Sequence, residues 1–261
     1  MKLSISNIGW DAEQDEKVYA VMREMGYVGL EIAPTRIFGL DPYSKFEEAK
    51  RYKDYLKKYG LCISSMQSIW YGKTENIFNG KHERENLYQY TKKAIDFAEV
   101  LACKNLVFGC PKNRNCPSER LKNNALDFFK SIGQYAEAHN TVFSIEANPS
   151  IYNTNYINYT EEAFLIAKEV DSPGCKVNLD FGSIICNKES LDIVKDNVSY
   201  INHIHISEPW LKKIQIRSEH QELEDILKEN DYQGFVSIEM GRNVEIENVF
   251  EVMNYIREVF G

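Results

Sequence analysis

The sequence predicts an α/β protein built as a single closed (β/α)8 barrel. Three observations carry this. Short apolar segments alternate with amphipathic ones along the chain, the alternation runs through eight units, and no Pro/Gly/Ser-rich linker, low-complexity tract or fixed-period repeat interrupts it. Strict alternation implies parallel strands joined by right-handed crossovers, and eight such units favour a closed barrel over an open doubly wound sheet. No G-x-G-x-x-G follows the first strand, so the dinucleotide-binding form of the open sheet lacks its fingerprint.

Strands are expected over 3–8, 28–33, 61–66, 105–108, 142–146, 176–180, 201–206 and 235–240. Helices are expected between them, over 13–25, 43–59, 83–101, 118–139, 160–170, 188–197, 217–229 and 245–259. Phe46, Ala49, Leu56 and Tyr59 share one helical face, as do Leu87, Ala94, Phe97, Ala98 and Leu101. Pro117-Ser118-Glu119 marks a helix start, and Thr160 is placed as an N-cap. Gly26, Gly60 and Gly234 stand where helices should stop in a left-handed residue.

With 261 residues, 43% hydrophobic and 27% charged, the chain is long enough to bury a core without disulfide or metal support. A net charge of -8 argues against a dedicated nucleic-acid or anionic-membrane binder. No run of about eighteen apolar residues predicts a membrane span. Met1-Lys2-Leu3-Ser4-Ile5-Ser6 lacks the layout of a secretory signal. Six cysteines without a C-x-x-C pair fit free, buried thiols in a reducing cytoplasm.

The informative chemistry lies on strands five to eight. Read with period two, each places polar residues on one face: Ser144 and Glu146, Asn178 and Asp180, His203 and His205, Ser237 and Glu239. The apolar face must pack on the helices, so the polar face points into the barrel. Glu146, Asp180, His205 and Glu239 then converge at the mouth, where the catalytic ends of barrel strands lie. Three carboxylates held so close repel one another unless a cation offsets them or some are protonated. One divalent metal ion fits this oxygen-rich set with its single imidazole, and Mn²⁺, Mg²⁺, Co²⁺ and Zn²⁺ all suit it. One strand-end Glu alone is more often a salt-bridge partner; four in register are less easily accidental. His203, one layer deeper, is assigned to the core or to orienting a ligand.

These residues resemble the xylose isomerase-like TIM-barrel superfamily of sugar and sugar-phosphate isomerases and epimerases. That superfamily also holds ketose 3-epimerases, inosose dehydratases and endonuclease IV. The resemblance rests on Gly29-Leu30-Glu31-Ile32, Ile145-Glu146-Ala147-Asn148, Asn178-Leu179-Asp180-Phe181-Gly182, His203-Ile204-His205-Ile206-Ser207-Glu208 and Ser237-Ile238-Glu239. It implies that Glu146, Asp180, His205 and Glu239 hold one divalent metal, and that Glu146 and Glu239 are the acid/base pair. Three positions depart from the epimerase pattern: Ser183 replaces a His, Leu211 an Arg and Tyr152 a Glu. In the family those side chains contact substrate oxygens, which sets this chain apart from users of free ketohexoses.

The reaction so implied is proton transfer beside a carbonyl, through a metal-stabilised enediolate, on a small-molecule sugar or sugar phosphate. Lys112 and Arg114, in the run Val107–Arg114, are candidates to bind a substrate phosphate or carboxylate together with Arg36. Glu31 and Gln67, at the ends of strands two and three, are candidate partners of sugar hydroxyls, joined by Asn148 and Glu208. Trp10, Trp70 and Trp210 fall in rim loops, where they pack on a sugar or into the core. His139 is read as structural, and His220 as a weak candidate for the mouth. The competing readings are a dehydratase or lyase on a cyclitol or keto sugar, and a non-catalytic sugar-binding barrel. A DNA-repair nuclease is disfavoured by five histidines and an acidic charge. A homo-oligomer is compatible with the barrel by fold analogy.

Overall fold

The computed structural model describes residues 1–242 and 245–261. The elements run β1 (Lys2–Ser6), α1 (Asp15–Glu24), β2 (Gly29–Ile32), α2 (Pro34–Phe38), α3 (Phe46–Lys57), β3 (Cys62–Met66), α4 (Lys81–Leu101), β4 (Leu106–Phe108) and α5 (Lys122–Ala138). They continue with β5 (Phe143–Glu146), α6 (Thr160–Val170), β6 (Cys175–Asp180), α7 (Phe181–Asn187), α8 (Asp192–Lys195), β7 (Ile201–Ile206), α9 (Ser218–Glu229), β8 (Phe235–Ile238) and α10 (Ile246–Phe260). The strands pair in sequence order, and β1 closes on β8 in parallel, giving a closed (β/α)8 barrel.

The alternation of side chains sets the two sides of this barrel. Ile5, Leu30, Ile32, Phe108, Ile145, Leu179, Ile204, Val236 and Ile238 face the helices and are fully buried with them. The opposite face is polar. Ser4 Oγ meets Ser64 Oγ at 2.7 Å, Asn105 Nδ2 donates to Ser65 Oγ at 2.8 Å, and Asn202 Nδ2 donates across the barrel to Asn105 Oδ1 at 2.8 Å. The interior is therefore a hydrogen-bonded layer of hydroxyls and amides rather than a stack of branched aliphatics, and its polar groups are largely paired within it.

Most elements fall within a few residues of their expected limits. The helix expected over 188–197 does not form as one piece. β6 runs straight into α7, because the Asp180 carboxylate caps it by accepting from the Ser183 N–H at 2.5 Å. Only Asp192–Lys195 is helical in the expected segment. The short α2, with Pro34 in its first turn, was not expected. Gly26 (φ 80°) and Gly60 (φ 73°) end their helices left-handed, whereas Asp231 (φ 50°), not Gly234, takes that conformation after α9. The N-cap of α6 is Tyr159 rather than Thr160. All six cysteines are free, with Cys103, Cys116 and Cys175 buried and Cys62 exposed. No helix among the described residues is long and apolar enough to cross a membrane.

Candidate active site

Strand register brings the expected ligands to one level. Glu146 pairs with Asn178, Asp180 with His205, and His205 with Ser237, while the Glu239 N–H extends the ladder by donating to Ile206 O at 2.9 Å. His205 is the hub. Its Nδ1 lies 3.0 Å from Glu146 Oε1 and 3.3 Å from Glu239 Oε2. Glu146, Asp180 and His205 each offer a donor atom within 4.8 Å of the others.

The opposite edge of the imidazole explains its orientation. His205 Nε2 donates to Glu31 Oε2 at 2.9 Å, and His203 Nε2 lies 3.3 Å from the same oxygen. Glu31 comes from β2, across the barrel, at a point where the β2–β3 register shifts between Leu30 and Glu31. With Nε2–H committed to Glu31, Nδ1 faces the mouth. It is buried and has no hydrogen-bond partner. Nitrogen of this kind, set among carboxylate oxygens, fits a divalent cation with mixed oxygen and imidazole ligands.

Neighbouring groups hold the carboxylates. Glu146 Oε1 accepts from Asn178 Nδ2 at 2.7 Å and Oε2 from Asn148 Nδ2 at 3.1 Å. Asp180 Oδ2 accepts from Ser207 Oγ at 2.6 Å, and that hydroxyl accepts from the Gly182 N–H at 2.9 Å. A Cβ on Gly182 would stand 2.5 Å from Ser207 Oγ, and one on Gly109 would stand 2.7 Å from Glu146 Oε2. Both positions need glycine because the backbone passes so near the cluster.

Electrostatics record the crowding. Burial, then the charge of Glu146, pushes Asp180 up to about 6. Burial likewise raises Glu239 to about 7, against the pull of His205. Burial would lower His205, but Glu31, Glu239 and Glu146 outweigh it and hold the imidazole well above its usual range. Burial raises Glu31 less than His205 and His203 lower it, so its carboxylate stays ionised. Burial lowers His203.

The cavity above this cluster encloses about 230 Å³. Gln67, Asn148, Glu208, Tyr152 and Leu211 line it, with Glu146, Asp180 and Glu239 at its base. Glu208 is held by Arg217 in a bidentate pair, with both contacts at 2.7 Å. Ser183 Oγ, at the position where the family commonly has a His, donates to Ala147 O at 2.9 Å.

Several expected site residues are placed elsewhere. Glu31 does not line the cavity; it lies beneath His205, fully buried, where no sugar hydroxyl reaches. Arg114 is also fully buried, spending Nη1 on Glu146 O at 2.8 Å and Nη2 on Ile157 O at 3.4 Å, so its guanidinium braces β5 from behind. Burial lowers it to about 10, still charged at neutral pH. Arg36 grips both oxygens of Asp15 at 2.7 and 3.2 Å. Lys112 is exposed and lines no part of the cavity. Trp10 and Trp70 are buried anchors, donating to Asp15 and Thr91. Trp210 is exposed and packs on Tyr152 with ring centroids 5.2 Å apart. His220 is buried outside the barrel against Phe181 and Tyr255.

A closed (β/α)8 barrel with a carboxylate–imidazole cluster at its C-terminal mouth defines the class. The family model for the xylose isomerase-like TIM barrel matches residues 19–259. The chain belongs to that family. No curated protein matches it in sequence. Among solved structures it is similar to 3-keto-D-glucoside 4-epimerase from E. coli, at 20% identity over 99% of each chain with a TM-score of 0.79. It is similar to D-psicose 3-epimerase from Clostridium cellulolyticum in complex with D-tagatose, at 18% identity over 100% of this chain and 99% of the other, TM-score 0.83. A probable 3-DHS dehydratase from Bacillus anthracis is similar at 17% identity over 99% and 98%, TM-score 0.70.

Proposed function

We propose that this protein is a divalent-metal-dependent sugar isomerase or epimerase acting by proton transfer beside a carbonyl. The observation that carries this is the unpaired Nδ1 of His205 set 3.0 and 3.3 Å from carboxylate oxygens of Glu146 and Glu239. Glu146, Asp180, His205 and Glu239 would hold the cation. Bound there, it would supply positive charge to stabilise the negative charge that develops on the sugar's oxygens.

The protein's own groups do the rest. Glu146 and Glu239 reach the cluster from β5 and β8, so two carboxylates flank one reaction zone. One removes the carbon-bound proton and the other returns a proton to the opposite face or to the neighbouring carbon. Asn178 and Asn148 fix Glu146 in place. Gln67, Asn148 and Glu208 line the cavity and would hydrogen-bond sugar hydroxyls.

Incubation of Mn²⁺-loaded enzyme in D₂O with ketoses, aldoses and their phosphates tests the reading. Solvent deuterium appearing at one sugar carbon, lost in Glu146→Gln and Glu239→Gln, is the expected result. Deuterium exchange absent from every sugar, with those two variants indistinguishable from the parent protein, would contradict it. The similarity to a probable dehydratase favours one second reading, elimination of water from the same carbanion; a new carbonyl in the product identifies it.

A further inference from the structure

Four carboxylates line the cavity: Glu146, Asp180, Glu239 and Glu208. Among the described residues no Lys or Arg lines it, and the two residues outside the description are Asn243 and Val244. Four arginines near the mouth are committed, and Lys112 is exposed outside the lining. Arg217 neutralises Glu208, Arg36 is held by Asp15, Arg242 lies 3.2 Å from Asp11 Oδ1, and Arg114 is buried behind β5 on two backbone carbonyls.

Among the described residues, the helix starts near the mouth offer no substitute. The N-terminal turn of α7, which points at the cluster, is capped by Asp180. The start of α10 carries Glu245 and Glu247, and the Thr160 N–H at the start of α6 is taken by Glu189 Oε2 at 3.0 Å. Barrels that bind phosphate commonly use helix N-termini after the last strands, and here those positions are acidic. One divalent cation offsets two of the three carboxylates that Arg217 leaves unmatched, so the pocket keeps surplus negative charge. A phosphate or carboxylate entering it would be desolvated beside surplus like charge, with no cationic side chain among the described lining residues to pair with it. The remaining lining is apolar, from Ile8, Val107, Pro111 and Leu211.

Resting on the isomerase reading above, we propose that the substrate is an uncharged keto sugar, neither phosphorylated nor carboxylated. Its hydroxyls meet Gln67, Asn148 and Glu208, and its C–H surfaces meet the apolar lining.

Matched pairs test this on the Mn²⁺-loaded protein: D-xylulose with D-xylulose 5-phosphate, D-fructose with D-fructose 6-phosphate, and methyl 3-keto-α-D-glucopyranoside as a neutral glycoside. Binding is read by calorimetry and exchange is read separately as deuterium incorporation. Neutral members should bind at least about tenfold tighter than their phosphates. A phosphate that binds as tightly as its neutral partner, or more tightly, overturns the proposal, and loss of that binding in Lys112→Ala would locate its partner. Neutral sugars that bind preferentially but exchange no deuterium support the uncharged-substrate inference while overturning the isomerase reading. Leu211→Arg, which puts a cation in the lining, should raise the affinity for the phosphates relative to the neutral sugars; an unchanged ratio also counts against the proposal.

Discussion

The carboxylate of Glu31 touches both histidines of β7 and no part of the cavity, so its influence on the mouth passes through the His205 ring. Glu31→Gln keeps the shape and removes the charge that orients Nε2–H. Mn²⁺ affinity should fall about 10- to 100-fold, with the fold retained; an unchanged titration isotherm would show that His205 needs no such partner. Arg114 acts on stability instead. Arg114→Met removes the buried Nη1 donor to Glu146 O, while Ile157 O keeps the Asn148 N–H at 3.0 Å, and should cost about 1–3 kcal/mol in urea unfolding. A variant as stable as the parent would refute that bracing role. At this scale the four strand-end residues were legible, because period-two alternation fixes which side chains share a face. The depth of Glu31 was not legible, since it depends on a register shift between strands, and the burial of Arg114 depends on loops from two distant segments meeting around it.

Among the elements, α7 shows what local pattern misses. Phe181–Asn187 carries apolar residues that would extend a strand, and only the Asp180 cap, made by a residue expected to be a metal ligand, turns the chain into a helix there. The other helices were legible from their apolar stripes, with ends off by a few residues where capping differed. The placement of α7 against α9 and α10 gives His220 its environment. Its Nδ1 lies 2.9 Å from Tyr255 Oη, and its ring packs 4.5 Å from that of Phe181. Burial, opposed by Glu208 and assisted by Arg217, lowers His220 to about 4. Folding therefore favours the neutral ring. Stability from this residue is present above the unfolded-state pKa of about 6.5 and is lost as pH falls through 4, a total of about 3 kcal/mol. His220→Gln should flatten unfolding free energy against pH across that window, and an unaltered slope would contradict the assignment.

At the scale of the whole molecule, the barrel separates two tasks. The outer shell of apolar contacts stabilises the fold without a ligand, and the polar interior concentrates carboxylates whose mutual repulsion a cation relieves. Binding to the native state alone must then raise stability. Saturating Mn²⁺ or Co²⁺ should lift Tm by about 5–10 °C, reversibly on adding EDTA, and an unmoved Tm would mean that the cluster holds no ion. The architecture was legible because alternation of eight strands and eight helices has few closed solutions. The substrate was not, because charge complementarity in the pocket depends on which basic side chains are spent elsewhere, as Arg36, Arg114 and Arg217 are. The most direct measurement is calorimetric titration of metal-stripped protein with Mn²⁺. One ion per chain, with binding abolished in Asp180→Ala and His205→Ala, is the predicted result; no binding, or binding indifferent to both substitutions, would contradict a metal centre at the mouth of the barrel.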